Sequence, residues 1–366
     1  MSEDDIDDYW TQALTAPEKQ SEPLLHIETI GDVEPLDDQF GIDHPKTVPD
    51  ALYESLLGRP EPTATELAQA GGDPAKVLPL HTYAILDAAK VANLAEMLET
   101  SGLEHRCLFK GDAFEGMKDA APWIVRLEDG NRFTRNLFTR SDAPWHLWDV
   151  EAGIYLQSSY DLATLWAHFR KFVKLKDRNE RWQYFRFWEP LVLQAYLSVA
   201  NQRSQGLCPL MYGAEGLIVE SYICCPVPGD VSVHKAIPHK ELAAQALSPK
   251  LTRLDERAIA AAMQRRRQLE ISLALRKSFA DETVGANDRA LYDLVGHVIQ
   301  KMGQYQVRSI RHIHTFAAWQ LIYGAGFEGR DPDGYAQKVL DAPIQEEQKM
   351  AHLKNRLDDL HKAGWL

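Results

Sequence analysis

The sequence predicts an α+β protein, with an N-terminal α/β lobe built on a layered mixed sheet and an all-helical C-terminal lobe. Two patterns carry this prediction. Between residues 78 and 235, short β-rich runs alternate with stretches of helical spacing, the signature of a sheet covered by helices. After Pro238 no strand signal remains and four helical stripes follow one another. A third observation marks the start of the chain. Residues 1–45 hold thirteen Asp or Glu against one Lys, while the whole chain carries a net charge of −13. The body is therefore near neutral, and the acidic terminus offers too little apolar surface to offset its chain entropy. The expected organisation is an acidic, largely disordered extension with short helices over residues 1–77, an α/β lobe over 78–238 and a helical lobe over 239–366.

Taken in order, residues 1–48 are interrupted by Pro17, Pro23, Pro35 and Pro45, which predicts extended or disordered backbone. Leu52, Leu56 and Leu57 share one side of a short helix, and Gly71-Gly72-Asp73-Pro74 reads as a linker. Residues 80–86 form the first expected strand, followed by a helix with Val91, Leu94, Ala95 and Leu98 on one face. Strands are expected at 107–109, 123–127 and 154–157, and Ser159 as the cap of a helix bearing Leu162, Leu165, Trp166 and Phe169. Residues 182–188 contain five aromatics and predict a central strand covered on both faces, with Pro190 opening the next helix. Residues 217–223 and 231–235 complete the sheet around a turn at 226–229. In the helical half, Asp255 is expected to cap a helix reaching Phe279, and Asn287 or Asp288 the next. A third helix spans 307–323, and Pro343 opens a fourth with Met350, Leu353, Leu357 and Leu360 as its stripe.

No window reaches the roughly 18 uninterrupted apolar residues of a membrane span. The acidic N-terminus has no apolar h-region, and four cysteines in 366 residues make no disulfide framework, which predicts a reduced, cytoplasmic protein. Gly324-Ala325-Gly326-Phe327-Glu328-Gly329 matches the dinucleotide pattern, but a helix precedes it and Asp331-Pro332-Asp333-Gly334 follows, so a helix end and loop is expected. His312 and His314 diverge by about 200° on a helix, and no Asp, Glu or Cys at ligand spacing stands nearby. Cys224-Cys225 reads as strand packing. Neither G-x-S-x-G nor a Gly-rich phosphate loop is present. Arg265-Arg266-Arg267, with Arg276 and Lys277, reads as a solvated helix face, or as a resting place for the acidic terminus; the near-neutral body argues against nucleic acid. No catalytic residue, cofactor or metal is therefore expected.

Two groupings do stand out. A guanidinium on a covered strand requires a carboxylate, and Asp87 ends the first strand, so a buried, bidentate Asp87–Arg186 pair is expected. Trp145 and Trp148, in a Pro-containing loop-like stretch, are either ordinary packing or part of a binding surface, and Trp188 and Glu189 join them as partner-binding candidates.

Four segments in register, 83–89 (YAILDAA), 107–111 (CLFKG), 121–127 (APWIVRL) and 184–190 (YFRFWEP), resemble the effector-chaperone (adaptor) family of the bacterial type VI secretion system. The resemblance covers about residues 80–200. It implies an α/β lobe with a variable helical lobe, no enzymatic activity, and a cytoplasmic role in binding a cognate effector and loading it onto the VgrG spike protein. It implies neither nucleic-acid nor membrane partners. A hydrolase or transferase with an unrecognised site, or a structural part of the secretion assembly, are the alternative readings.

Overall fold

The computed structural model describes residues 23–58, 67–68, 70–176, 180–202, 208–213, 216–226, 230–237, 250–286 and 288–365. The strands are β1 (Leu25–Ile30), β2 (His81–Asp87), β3 (His105–Cys107), β4 (Pro122–Leu127), β5 (Gly153–Ser158), β6 (Lys174–Lys176), β7 (Trp182–Tyr184), β8 (Tyr212–Gly213), β9 (Gly216–Leu217), β10 (Ser221–Cys224) and β11 (Val231–Ala236). Seven of them form one sheet in the order β1-β11-β10-β5-β2-β4-β3. Its pairings are all antiparallel. The α+β class and the order of the lobes stand as the sequence predicted. Strand direction is not legible in strand–helix alternation, because antiparallel neighbours can also be joined through helices.

Strands β5 and β2 hold the centre. Ile124, Ile85 and Ile154 lie side by side across β4, β2 and β5, all fully buried, and Tyr83, Leu156 and Tyr222 form a second such row. The two tyrosine hydroxyls donate to the carbonyls of Tyr160 (2.8 Å) and Leu210 (2.7 Å), so neither is left unpaired in the core. At Gly153 a Cβ would stand 2.0 Å from the Ile85 carbonyl oxygen, so β5 can approach β2 here only with glycine. Helices α1 (Asp50–Leu56), α2 (Leu94–Ser101), α3 (Asp112–Met117), α4 (Arg132–Leu137), α5 (Leu162–Phe169) and α6 (Pro190–Ser198) accompany the sheet, with α1 on β5, α5 on β4 and α6 on β10.

Several expectations are corrected. The part of residues 1–77 that is described from Pro23 onward is not a disordered extension. β1 pairs along the edge of the sheet, Leu24 and Leu25 are buried, and Leu52 and Leu56 of α1 enter the core. The acidic side chains do not prevent this, since Glu28 sits on the exposed edge and meets Lys235 at 3.2 Å. Residues 1–22 lie outside the described residues. Residues 181–188 do not form a central strand: β7 ends at Tyr184 and pairs only with β6. Tight turns follow, Phe187 N–H to Phe185 O (2.8 Å) and Glu189 N–H to Arg186 O (3.0 Å), which rotate Phe185, Phe187 and Trp188 into an aromatic cluster with Phe169, Phe172 and Tyr196. Helix α5 is capped by Asp161, not Ser159, through Thr164 N–H at 2.8 Å.

The second unit is helical. It is built by α7 (Arg253–Ser278), α8 (Ala280–Thr283), α9 (Asp288–Gln304), α10 (Ile310–Tyr323), α11 (Tyr335–Asp341) and α12 (Glu346–Lys362). Asp255 does not itself cap α7. Thr252 N–H and Oγ1 donate to its carboxylate at 2.9 and 2.7 Å while Asp255 N–H returns to Thr252 Oγ1 at 3.3 Å, a capping box with Thr252 as the cap. The chain divides into Met1–Ile259 and Ala260–Leu366, inside α7 rather than at Pro238, because Leu251 and Ile259 still pack on the core of the sheet unit. Ile271, Leu275, Val295, Met302, Phe316, Phe327 and Leu353 are among the core side chains of the helical unit. Gly324 ends α10, and Phe327–Arg330 forms a 3-10 turn with Phe327 fully buried, so the glycine-rich stretch is a helix end and loop. No helix among the described residues is long and apolar enough to cross a membrane.

Candidate functional site

The end of β2 and the turn before α6 meet at one ion pair. Arg186 Nη2 lies 2.6 Å from Asp87 Oδ2 and 2.8 Å from Glu189 Oε1. Asp87 is buried and its Oδ1 accepts the Ala89 N–H at 3.0 Å, which shapes the loop leaving β2. Glu189 occupies the N-cap position of α6. The geometry differs from the expected bidentate, buried pair. One nitrogen is shared between two carboxylates, and the Arg186 side chain is 45% exposed. Glu189, expected to meet a partner, is turned to this internal contact.

Exposed aromatic surface adjoins this knot on the β6–β7 hairpin. Trp182 is 67% and Tyr184 46% exposed, a large apolar area left in water. Register pairs Lys176 with Trp182 and Lys174 with Tyr184, and each ammonium lies over its ring, at 5.6 and 4.7 Å. Tyr184 also packs on Phe109, at 6.1 Å between ring centroids. Two residues before Phe109, the Cys107 carbonyl accepts the indole N–H of Trp166 at 2.6 Å. Trp166 is held between Arg106 at 3.5 Å and Arg170 at 4.5 Å. Two aromatic groups thus carry cations over their rings, the exposed Trp182–Tyr184 pair on the hairpin and the half-buried Trp166 on α5.

The tryptophans expected at a binding surface are distributed differently. Trp145 is 47% exposed, with its ring edge-on to His146, but Trp148 and Trp188 are buried and belong to the core. Both indoles face inward because the chain turns there, at a 3-10 turn (Trp148–Val150) and at the turn before α6. Trp182 and Tyr184, which alternation places on a covered strand, are instead exposed. The signal available was the matching Lys-x-Lys at 174–176, which marks a short two-stranded ribbon with one wet face. Ser141 Oγ lies 2.6 Å from His146 Nδ1 on the same loop as Trp145, and it also accepts the Ala143 N–H at 3.1 Å, which closes a local turn.

In the helical unit, His314 stands against Phe279 while His312 is buried, 3.6 Å from Glu346 Oε1. Ligand atoms of His312, Glu346 and Glu347 fall within 4.8 Å of one another, so carboxylates do stand nearby, brought from a distant helix. Glu346 Oε2 accepts the N–H groups of Arg308 (2.7 Å) and Ser309 (3.2 Å) at the start of α10. Two helix N-termini, those of α10 and α12, meet here, which favours the carboxylates and opposes a cation. The cluster reads as a tertiary helix cap. Burial pushes the Cys225 thiol up to about 12 and Cys224 further, away from the reactive thiolate.

Residues 82–206 match a family model described as Domain of unknown function (DUF4123). No curated protein and no solved structure matches the chain. The matched span contains the Asp87–Arg186–Glu189 knot, Trp166 and the β6–β7 hairpin. The helical unit lies beyond it.

Proposed function

We propose that this chain is a cytoplasmic, non-catalytic adaptor that binds one toxic effector of a bacterial type VI secretion system and helps load it onto the VgrG spike. The match of residues 82–206 carries the reading, since that family is known for effector adaptors of this system. The exposed Trp182 and Tyr184 rings, with lysines over them, support it. Tyr and Trp are the residue types that anchor protein interfaces, supplying large contact area at low entropic cost, and Arg or Lys beside them adds orientation. Trp182, Tyr184 and Trp166 with Arg106, Arg170, Lys174 and Lys176 are the residues assigned to the effector surface, and Trp145 is a further exposed ring. Binding of this kind requires no reactive centre.

The test is affinity capture of the tagged chain from its native cytoplasm, with quantitative mass spectrometry. One effector in near-equal amount, lost with Trp182→Ala/Tyr184→Ala, is the expected result. Turnover of a small molecule by the purified protein, with no stoichiometric partner, would replace the adaptor reading with an enzyme.

A further inference from the structure

The helical unit contains a cleft of about 540 Å³ between α7, α9 and α10. Its apolar lining includes Met263, Ile299, Val307 and Ile310. Met263 and Ile310 are 44% and 48% exposed, a poor arrangement for aliphatic side chains unless something covers them. Arg267 and Arg308 line the same cleft. Arg266 is neutralised by Glu270 at 2.8 Å, whereas the guanidinium groups of Arg267 and Arg308 meet no carboxylate among the described residues. The wall carrying Arg308 is held in place, because Glu346 accepts the backbone N–H groups of both Arg308 and Ser309. The cleft is thus preformed, apolar along its floor and cationic at two points on its sides.

We propose that this cleft receives an acidic amphipathic helix of the partner protein, aliphatic side chains inserted between Met263 and Ile310 and carboxylates on Arg267 and Arg308. The inference rests on the adaptor reading for the partner's identity, and on the cleft alone for its chemistry. A groove walled by helices accepts another helix through anchors spaced i, i+3, i+4 and i+7, and the two guanidinium groups select the sign of charge on its flanks. A basic helix of the same shape would place like charges together and be rejected.

The experiment uses the full chain and two labelled peptides of about 18 residues, long enough to form helix. One has Leu at the anchor spacing with Glu on the flanks, and its twin has Lys in place of Glu. Fluorescence anisotropy is expected to show the acidic peptide binding at least tenfold tighter than its twin. Arg267→Glu/Arg308→Glu should invert that preference, and Ile310→Asp, at an exposed position, should weaken both peptides while the circular dichroism melt stays unchanged. Equal binding of the two peptides, or an acidic preference untouched by the charge reversal, overturns the proposal. So does a chain dimer in size-exclusion chromatography that Ile310→Asp dissociates, because a second copy is then the occupant. A gain in peptide affinity on removing residues 1–22 would likewise overturn it in favour of the chain's own acidic terminus. With a co-purifying effector in hand the two readings separate. Full effector binding by the Arg267→Glu/Arg308→Glu variant sinks the cleft and leaves the adaptor, whereas peptide selectivity without any effector sinks the adaptor and leaves the cleft.

Discussion

Nη2 of Arg186 lies 2.6 Å from Oδ2 of Asp87, tying the end of β2 to the turn that opens α6. The two partners differ in environment: the Asp87 side chain is 1% exposed and that of Arg186 45%. This asymmetry orders the mutants. Arg186→Ala leaves a buried carboxylate with the Ala89 N–H as its side-chain donor, and should cost about 2–3 kcal/mol, below the roughly 3–5 of a fully buried pair. Asp87→Asn leaves Arg186 to Glu189 and water, and should cost about 1–2 kcal/mol. Urea unfolding of the three proteins measures this, and a reversed order would mean that burial of the carboxylate is not the controlling term.

The aromatic residues divide by exposure. Trp182→Ala removes a ring largely in water and Tyr184→Ala one about half exposed, so each should change stability by about 1 kcal/mol or less while weakening capture of the effector. Trp148→Ala and Trp188→Ala empty core positions and should cost about 3–5 kcal/mol. Paired melts and capture assays separate the groups; loss of capture only with the buried pair would move the binding surface elsewhere.

Two buried histidines set a pH dependence for the sheet unit. Burial lowers His168, whose Nε2–H donates to the Leu210 carbonyl at 3.2 Å, to about 4, and it lowers His234 to about 4 as well. The unfolded chain takes up these protons near pH 6.5, before the folded chain does. Stability is therefore fully present above about pH 6.5 and falls as the pH drops toward 4, by on the order of 2 kcal/mol per histidine. Denaturant midpoints measured between pH 7 and 4.5 should show that slope, and it should flatten in His168→Gln. An unchanged slope in the variant would assign the acid sensitivity to other groups.

A second window belongs to the helical unit at lower pH. The Arg356 guanidinium holds Asp331 through Nε (3.0 Å) and Nη2 (2.5 Å), and Asp331 also accepts the N–H groups of Ala336 (2.9 Å) and Asp333 (3.1 Å). The Arg356 bonds foremost bring its carboxyl down to about 2. A depressed carboxylate contributes above its unfolded pKa near 4 and loses that contribution as pH falls toward 2. Asp331→Asn should cost about 1–2 kcal/mol at pH 7, a difference that shrinks below about pH 4 and vanishes as the pH approaches 2. Near-ultraviolet circular dichroism during acid titration would show this as convergence of the two proteins, and parallel curves would count against it.

Local chemistry was legible in the sequence wherever neighbours in the chain act together. Residues 80–86 were readable as a strand because their apolar run ends at Asp87, and β2 is observed at His81–Asp87. Pro190 opens α6 because its fixed φ suits a first helical turn, and the stripes of Val295 and Val298 and of Leu353 and Leu357 lie in the helical core as their spacing requires. The Asp87–Arg186 contact was read as well, from the need of a guanidinium on a covered strand for a carboxylate; the partners, 99 residues apart, do meet, although Arg186 stands in the turn before α6 and is 45% exposed.

What the tertiary structure alone decided is which surfaces meet. The 181–188 run has the composition of a central strand, but two tight turns divide it, leaving Trp182 and Tyr184 in water and sending Phe185, Phe187 and Trp188 into the core. The acidic residues around β1 suggested disorder, but the edge of β11 offered it a hydrogen-bonding partner, and backbone pairing is indifferent to the charge of outward-facing side chains. His312 stood apart from any carboxylate in the sequence, until packing of α12 beside α10 brought Glu346 to it. Periodicity and turn chemistry are properties of adjacent residues and are written locally. Pairing of strand edges, direction within the sheet and charge neutralisation between distant helices depend on how the whole chain closes, and no local pattern encodes them.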